Sequence, residues 1–414
     1  MSVLRALLGI SFFLAVAWAL SDNRKRFPVR VVAGGLVLQF ALALFCIKTS
    51  VGVAFFQSIA GFVQKLIQMA QPGVSMVFGN LSEGNFAEGG WGFPFAFAAS
   101  GLPVIMFFSA LMAILYHLGV MQLVIYGLAQ VMTKLMGVSG AESMSMAANV
   151  FVGQTEAPLV VKPYIPGMTR SELNAMMTGG FATIAGSVLA VYLGLLGEEY
   201  GPHLITASVM SAPAAFLIAK VMVPETEIPA TGSNIELRVE RSASNVVEAA
   251  ANGTSDGLKL WLNVIAMLIA FMGLVAMLDW FLGAIREGLT LNTVLSYLFA
   301  PVAWVMGVEG WHDCQLMGSL LGTKVAVNEF LAFDGLLKIN QATGEAAFAS
   351  QRTAIMASYA LCGFANFASV GIQIGGITPL APEKRSTIAG LAVRAMLGGA
   401  FASWMTATVA GMFL

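Results

Sequence analysis

Long apolar runs separated by short polar breaks organise this chain from end to end. A membrane crossing takes roughly 20 apolar residues. Runs of that kind fall at about residues 3–20, 31–48, 94–118, 171–196, 202–222, 258–282, 353–377 and 388–413. Residues 51–70 follow another pattern. Phe55, Ile59, Phe62, Leu66 and Met69 recur at helical spacing, with Gln57, Gln64, Lys65 and Gln68 between them. That spacing predicts an amphipathic helix, lying at the membrane interface or packed on other spans. Between residues 224 and 257 the chain turns polar, which reads as a linker with no assigned chemistry.

Two segments are too polar and too interrupted to be ordinary spans. In 142–169, Gln154-Thr155-Glu156 interrupts the middle and Pro158, Pro163 and Pro166 follow, before Lys162 and Arg170 return the chain to a charged surface. Residues 316–337 repeat the form, with Asn328-Glu329 near the turn and Gly318, Gly322 and Gly335 around it. Half-length helices meeting at a non-helical tip are the expected solution, because irregular backbone survives at membrane depth only when buried in protein or lining a cavity. The unpaired N–H and C=O groups at such ends suit polar solutes and small cations. Lys324 is near enough in sequence to pair with Glu329, and Asn366 and Ser369 could simply bond between helices.

The two broken segments echo each other. Gly153-Gln-Thr-Glu156 and Gly180-Phe-Ala-Thr183 stand against Val327-Asn-Glu329 and Gly363-Phe-Ala-Asn366, and Met136-Gly-Val-Ser-Gly140 stands against Met306-Gly-Val-Glu-Gly310. The matches keep their order at offsets of about 170 to 183 positions. An internal duplication with broken segments at corresponding places is the sequence mark of a secondary transporter. Ionisable residues inside membrane segments are costly and are functional candidates by default.

Composition agrees. Charged residues make up 10% of the chain, hydrophobic ones 58%, and the mean hydropathy is +0.81; a soluble domain carries about 25% charged residues. The chain is therefore read as a polytopic membrane protein. A net charge of −1 without a basic patch argues against nucleic-acid binding. Cys46, Cys314 and Cys362 lie far apart in apolar runs, without metal or redox spacing. His-Glu-x-x-His does not occur and His312-Asp313 is solitary, which argues against an intramembrane enzyme. Ala17-Trp-Ala19 resembles a signal-peptidase site, but Arg24, Lys25, Arg26 and Arg30 follow at once, so the first span is read as retained. Placing that basic loop inside puts both termini outside. It also puts Lys134, Lys162, Arg170, Lys220, Arg238, Arg241, Lys384 and Arg385 inside, with Lys338 and Arg352 as exceptions.

At Asn149–Tyr164, Met177–Ser187, Lys324–Phe330 and Cys362–Ser369 the chain resembles the concentrative nucleoside transporter family, and the match extends over nearly its whole length. The resemblance implies an all-α polytopic fold of eight transmembrane helices, two opposed re-entrant hairpins, inverted repeats and interfacial helices, assembled as a homotrimer in the inner membrane. The implied divisions are a scaffold at 1–118, a first repeat at 119–222 with its hairpin at about 142–169, the polar linker at 223–257, a scaffold span at 258–282, and a second repeat at 283–414 with its hairpin at about 316–340. It further implies that Gln154, Thr155, Glu156, Val188 and Phe364 surround the nucleobase, and that Glu329, Asn366 and Ser369 hold ribose hydroxyls. Asn149, Val152, Thr183 and Ile184 would supply oxygens to Na⁺, the favoured coupling ion, although some relatives use protons. Elevator-like import of nucleosides such as uridine is the expected activity.

Overall fold

The computed structural model describes residues 3–78, 103–232 and 243–414. The early part of the expected third span, the stretch at 79–102 and Arg238 and Arg241 lie outside the described residues. Every element among the described residues is helical. Six helices among the described residues are long and apolar enough to cross a membrane, or up to eight if two sharply bent pairs each count as one span.

Helix α1 (Val3–Ala19) and α2 (Val29–Ala43) lead into a single π-type turn, Leu44–Lys48, and then the long α3 (Ser50–Phe78). On α3 the buried positions are Gly52, Phe56, Ala60, Ala70 and Val74, whereas Phe55, Phe62 and Met69 are exposed. The apolar stripe expected to anchor the helix therefore faces away from the protein, and a second stripe of smaller residues makes the protein contact.

Next come α4 (Val104–His117) and α5 (Val120–Met136), bent by 77°. They are followed by α6 (Gly140–Asn149), the four-residue α7 (Ala157–Val160), and a pair of half-helices, α8 (Arg170–Ala182) and α9 (Gly186–Leu196). Helix α10 (Gly201–Met222) closes this series, and the 40-residue α11 (Val246–Ile285) follows. The sequence of forms then recurs. Helix α12 (Leu291–Met306) meets α13 (Trp311–Ala326) at 112°, then come α14 (Glu329–Gln341), the half-helices α15 (Gln351–Leu361) and α16 (Phe367–Ile377), and α17 (Arg385–Phe413). Helices α5 and α12 were absent from the spans read in the sequence. They explain the repeated Met-Gly-Val motif: Gly137 and Gly307 each end a helix in the left-handed region, at φ +71° and +96°, where a side chain would be strained.

Burial separates interior from periphery. In α10 every residue from Ser211 to Met222 is buried. Of the apolar window in the α10 span 89% is buried, against 11% in α11. The first is a central helix and the second is a peripheral one. The polar stretch read as a linker to residue 257 is shorter than expected. Asn245 caps α11 by accepting from the Glu248 N–H at 2.9 Å, and helix is under way from Val246. Gly253 and Gly257 then let α11 press on α4, where a Cβ would meet Ala113 at 2.7 Å and the Met106 Cα at 2.7 Å.

One end of the molecule is bound by a buried polar knot. Ser139-Gly-Ala-Glu142 and Thr169-Arg-Ser-Glu172 are capping boxes that start α6 and α8. The Ser139 hydroxyl also donates to Glu172 at 2.5 Å. Lys220 of α10 pairs with Glu142 at 2.7 Å and Glu225 at 3.3 Å and donates to the Ser171 hydroxyl at 3.0 Å. Arg26, Arg30 and Lys384 bond to carbonyls of Glu225, Lys134 and Met168 at the same end, and Asp22 pairs with Arg170 and Arg394. Elsewhere Arg5 lies over the Trp304 ring, and Arg352 donates to the carbonyls of Gly307 and Gly411.

Candidate functional site

The breaks in the helices meet in the interior. The Gly186 N–H donates to the Phe151 carbonyl at 2.8 Å, joining the α6–α7 break to the α8–α9 break. At the α15–α16 break, a Cβ on Gly363 would lie 2.7 Å from the Phe181 carbonyl and 2.8 Å from that of Ala182. The two broken half-helix pairs therefore cross with backbone against backbone, and only glycine permits it.

Glu329 sits in the first turn of α14, 8% exposed. Its Oε1 accepts from the Tyr192 hydroxyl at 3.0 Å and its Oε2 from Asn366 Nδ2 at 2.8 Å. The Asn366 amide cannot turn over, because its Oδ1 caps α16 by accepting from the Ser369 N–H at 2.8 Å. Ser369 is buried beside it, and Phe364 is half-buried in the same break. Val188 lies one helical turn before Tyr192 on α9 and is buried. Tyr192 is held in turn by stacking on Phe333, with ring centroids 4.3 Å apart. The residues expected to take ribose hydroxyls are thus assembled.

The first break carries the other group. Gln154 is buried, Thr155 is half-buried, and a Cβ on Gly376 of α16 would lie 2.7 Å from the Thr155 methyl. Glu156 is exposed and accepts from the Gly153 N–H at 3.1 Å, so its carboxylate turns back over its own loop. Helix α16 ties the two groups together. Asn366 caps its start beside Glu329, and about two turns on, roughly 10 Å along the axis, Gln373 donates to Gln154 Oε1 at 3.1 Å.

The residues expected to hold the cation are all buried. Asn149 Nδ2 donates to the Ser145 carbonyl at 3.1 Å, which leaves Oδ1 without a partner among the described residues. The Thr183 hydroxyl donates to the Gly179 carbonyl at 2.9 Å and keeps its lone pairs free to accept. No hydrogen bond among the described residues ends on the carbonyls of Val152 or Ile184. The Phe151–Gly186 bond draws these two short segments against each other. An unsatisfied buried amide oxygen with carbonyl and hydroxyl oxygens is a donor set for a hard cation.

Lys324 does not pair with Glu329 in any described bond. It is fully buried and reaches the Ala360 carbonyl at 2.8 Å, the Cys362 carbonyl at 3.4 Å and the Ser403 hydroxyl at 2.7 Å. The end of α15 leaves carbonyls without helical partners, and a cation satisfies them. Tyr192 and Gln373 were not picked out from the sequence. Their signal was a phenol hydroxyl and a single amide in largely apolar half-helices, one turn beyond Val188 and Ser369.

A sequence profile described as the C-terminus of Na⁺-dependent nucleoside transporters matches residues 203–411, its N-terminal counterpart matches 8–81, and a nucleoside-recognition "Gate" profile matches 98–199. An uncharacterised transporter of Haemophilus influenzae is 43% identical over 100% of this chain and 98% of its own length. The nucleoside permease NupC of Helicobacter pylori is 38% identical over 100% and 98%. Sodium/nucleoside cotransporter 1 of Rattus norvegicus is 40% identical, covering 98% of this chain and 63% of that one. Among solved structures, CNTnw in an inward-facing, substrate-bound state superposes with a TM-score of 0.92 at 42% identity, covering 99% of this chain and 97% of that one. A doubly substituted CNTnw in an outward-facing state gives 0.91 at 41% identity, over 100% and 98%.

Proposed function

This chain belongs to the Na⁺-dependent, concentrative nucleoside transporter family, and on that premise we propose that it is a symporter that carries nucleosides such as uridine into the cell with Na⁺. It is a membrane transporter and not an enzyme, and Na⁺ is the family's coupling ion. The observation that carries the reading is the roughly 10 Å spacing along α16 between the Glu329–Asn366 pair and the Gln154 amide. One end offers a carboxylate that can accept two hydroxyl protons, and the other offers an amide. A ribose and a base edge, joined in one molecule, fit that arrangement. Charge-assisted bonds to the carboxylate are about twice as strong as neutral ones, so the ribose end would dominate affinity.

Gln154, Thr155, Glu156, Val188 and Phe364 would enclose the base, and Glu329, Asn366 and Ser369 the ribose. Na⁺ would be a co-substrate at Asn149, Val152, Thr183 and Ile184, next to the first break. The breaks between α6 and α7 and between α13 and α14 would be tips of two re-entrant hairpins, related by an inverted repeat. A bound nucleoside would join the tips, so the repeats at 119–222 and 283–414 would move as one body against a scaffold of 1–118 and 258–282. That is alternating access by displacement of a repeat-built unit. We place the protein in the inner membrane as a homotrimer, with both termini periplasmic.

Calorimetric titration of uridine into the solubilised protein, followed by counterflow of radiolabelled uridine in proteoliposomes, tests the reading. Saturable uridine binding and Na⁺-stimulated counterflow are expected. Absence of both would refute it.

A further inference from the structure

Beyond the family's activity, we propose that Gln373 is a positioning residue for base recognition: it locks the Gln154 carboxamide so that its N–H donors face the bound base, and the site therefore reads a carbonyl acceptor on the nucleobase. The inference rests on the reading of Gln154 as a base contact.

The argument starts from a group whose role is unambiguous. The Met177 carbonyl can only accept, and the end of the Gln373 side chain lies 3.1 Å from it, so that end is the nitrogen. The same nitrogen lies 3.1 Å from the terminal atom of Gln154, which must then be Oε1. The choice between oxygen and nitrogen, often open for a glutamine, is closed here by a backbone group. With Oε1 engaged, Gln154 turns its nitrogen outward, and no described hydrogen bond uses that nitrogen. Turning the Gln154 amide over would set nitrogen against nitrogen, both donors, in a buried place where an unmade bond is costly.

The surroundings hold this arrangement, which leaves the Gln373 Oε1 without a partner among the described residues. Gln373 is fully buried, in the middle of α16. Gly180 forms the floor beneath the pair: a Cβ there would lie 2.6 Å from Gln373 Nε2 and 2.9 Å from the Gln154 Cβ. The backbone of α8 thus supplies both the carbonyl that orients Gln373 and the gap that admits it. Because α16 belongs to the second half and Gln154 to the first, the bond also sets base recognition by contact between halves.

Uridine and cytidine test this, since they differ at the base edge remote from the ribose, carbonyl in one and amino group in the other. Gln373→Met keeps the length and volume of the side chain and removes the donor. Its expected effect is to weaken uridine binding about three- to tenfold, the worth of a neutral hydrogen bond, while cytidine changes little, because the released Gln154 amide can then present either face. Gly180→Ala, whose Cβ would crowd both the Gln373 nitrogen and the Gln154 Cβ, should move the uridine-to-cytidine ratio in the same direction. In a Gln154→Leu background, Gln373→Met should leave the ratio where it was. Equal weakening of both nucleosides by Gln373→Met, an unchanged ratio, or a ratio that still shifts in the Gln154→Leu background would each overturn the proposal. If the wild type binds neither nucleoside, the transporter reading fails instead, so the two failures are distinct.

Discussion

The hydroxyl of Tyr192 in α9 donates to Oε1 of Glu329 in α14 at 3.0 Å, and both groups are buried. Asn366 covers the other oxygen, so the carboxylate is held by neutral donors from both halves of the chain, while the buried Lys324 is bonded to carbonyls and a hydroxyl elsewhere. Held by one donor on each oxygen, the carboxylate keeps further lone pairs open to a ligand. Glu329→Gln should cost uridine binding about 1.5–3 kcal/mol, the worth of a hydrogen bond to a charged group. Calorimetry checks the loss. Uridine lacking the 2′- or 3′-hydroxyl should bind wild type worse but hardly differ from uridine in Glu329→Gln, and a deoxy penalty that persists in the variant would remove the ribose from this site.

The cation prediction concerns Thr183. Its hydroxyl sits in the α8–α9 break, and the Asn149 oxygen on the adjoining segment has no partner among the described residues. Thr183→Ala should raise the Na⁺ concentration needed for half-maximal uptake, and Thr183→Ser should change it little, because the oxygen is kept. Initial rates of uptake over a Na⁺ series give the answer. Equal behaviour of the two variants would move the ion elsewhere.

Stability should depend on the knot at the end of α10. Lys220 is buried and is in contact with Glu142 at 2.7 Å, Glu225 and the Ser171 hydroxyl. Removing one partner of a buried ion pair leaves an uncompensated charge, at a cost of about 3–5 kcal/mol. Lys220→Met should therefore lower the thermal unfolding midpoint of the solubilised protein, whereas Lys259→Met, which removes an exposed pair with Asp256, should not.

The movement is tested by tethering. The native cysteines are all buried, so introduced thiols dominate any crosslink. Cysteine pairs placed between the α6–α7 break and α11, at positions that meet in only one state, should stop transport on oxidation and restore it on reduction. Uptake that continues at the uncrosslinked rate after complete crosslinking would show that the first break does not slide past α11.

How much of this was legible in the sequence varies with the kind of interaction. The two broken segments, their polar tips and their partner breaks could be read from Gln154–Glu156, Asn328-Glu329 and the paired glycines, because local chemistry and repetition both mark them. Helices α5 and α12 were missed because each, at 17 and 16 residues, is shorter than a full crossing and meets its neighbour at a sharp bend. The start of α11 was hidden for the opposite reason. Its first turns are polar, and only the Asn245 cap and the Gly253–Gly257 contact with α4 show that they are helix. Pairings across the halves, Tyr192 with Glu329 and Gln373 with Gln154, lie 137 and 219 positions apart. No local pattern specifies them. Lys324 shows the converse, since nearness in sequence allowed a pair with Glu329 while the open carbonyls ending α15 claimed the ammonium.

Uptake of radiolabelled uridine into proteoliposomes, with and without an inward Na⁺ gradient, bears most directly on Na⁺-coupled nucleoside transport. An inside-negative potential adds a drive of about 2.3 kcal/mol per 100 mV for each net charge carried inward. The account predicts transient accumulation of uridine above its external concentration, dependent on the Na⁺ gradient, enhanced by the potential and abolished when Na⁺ is equal on both sides at zero potential. Accumulation that follows a proton gradient and ignores Na⁺, or equilibration without accumulation under any gradient, would contradict it.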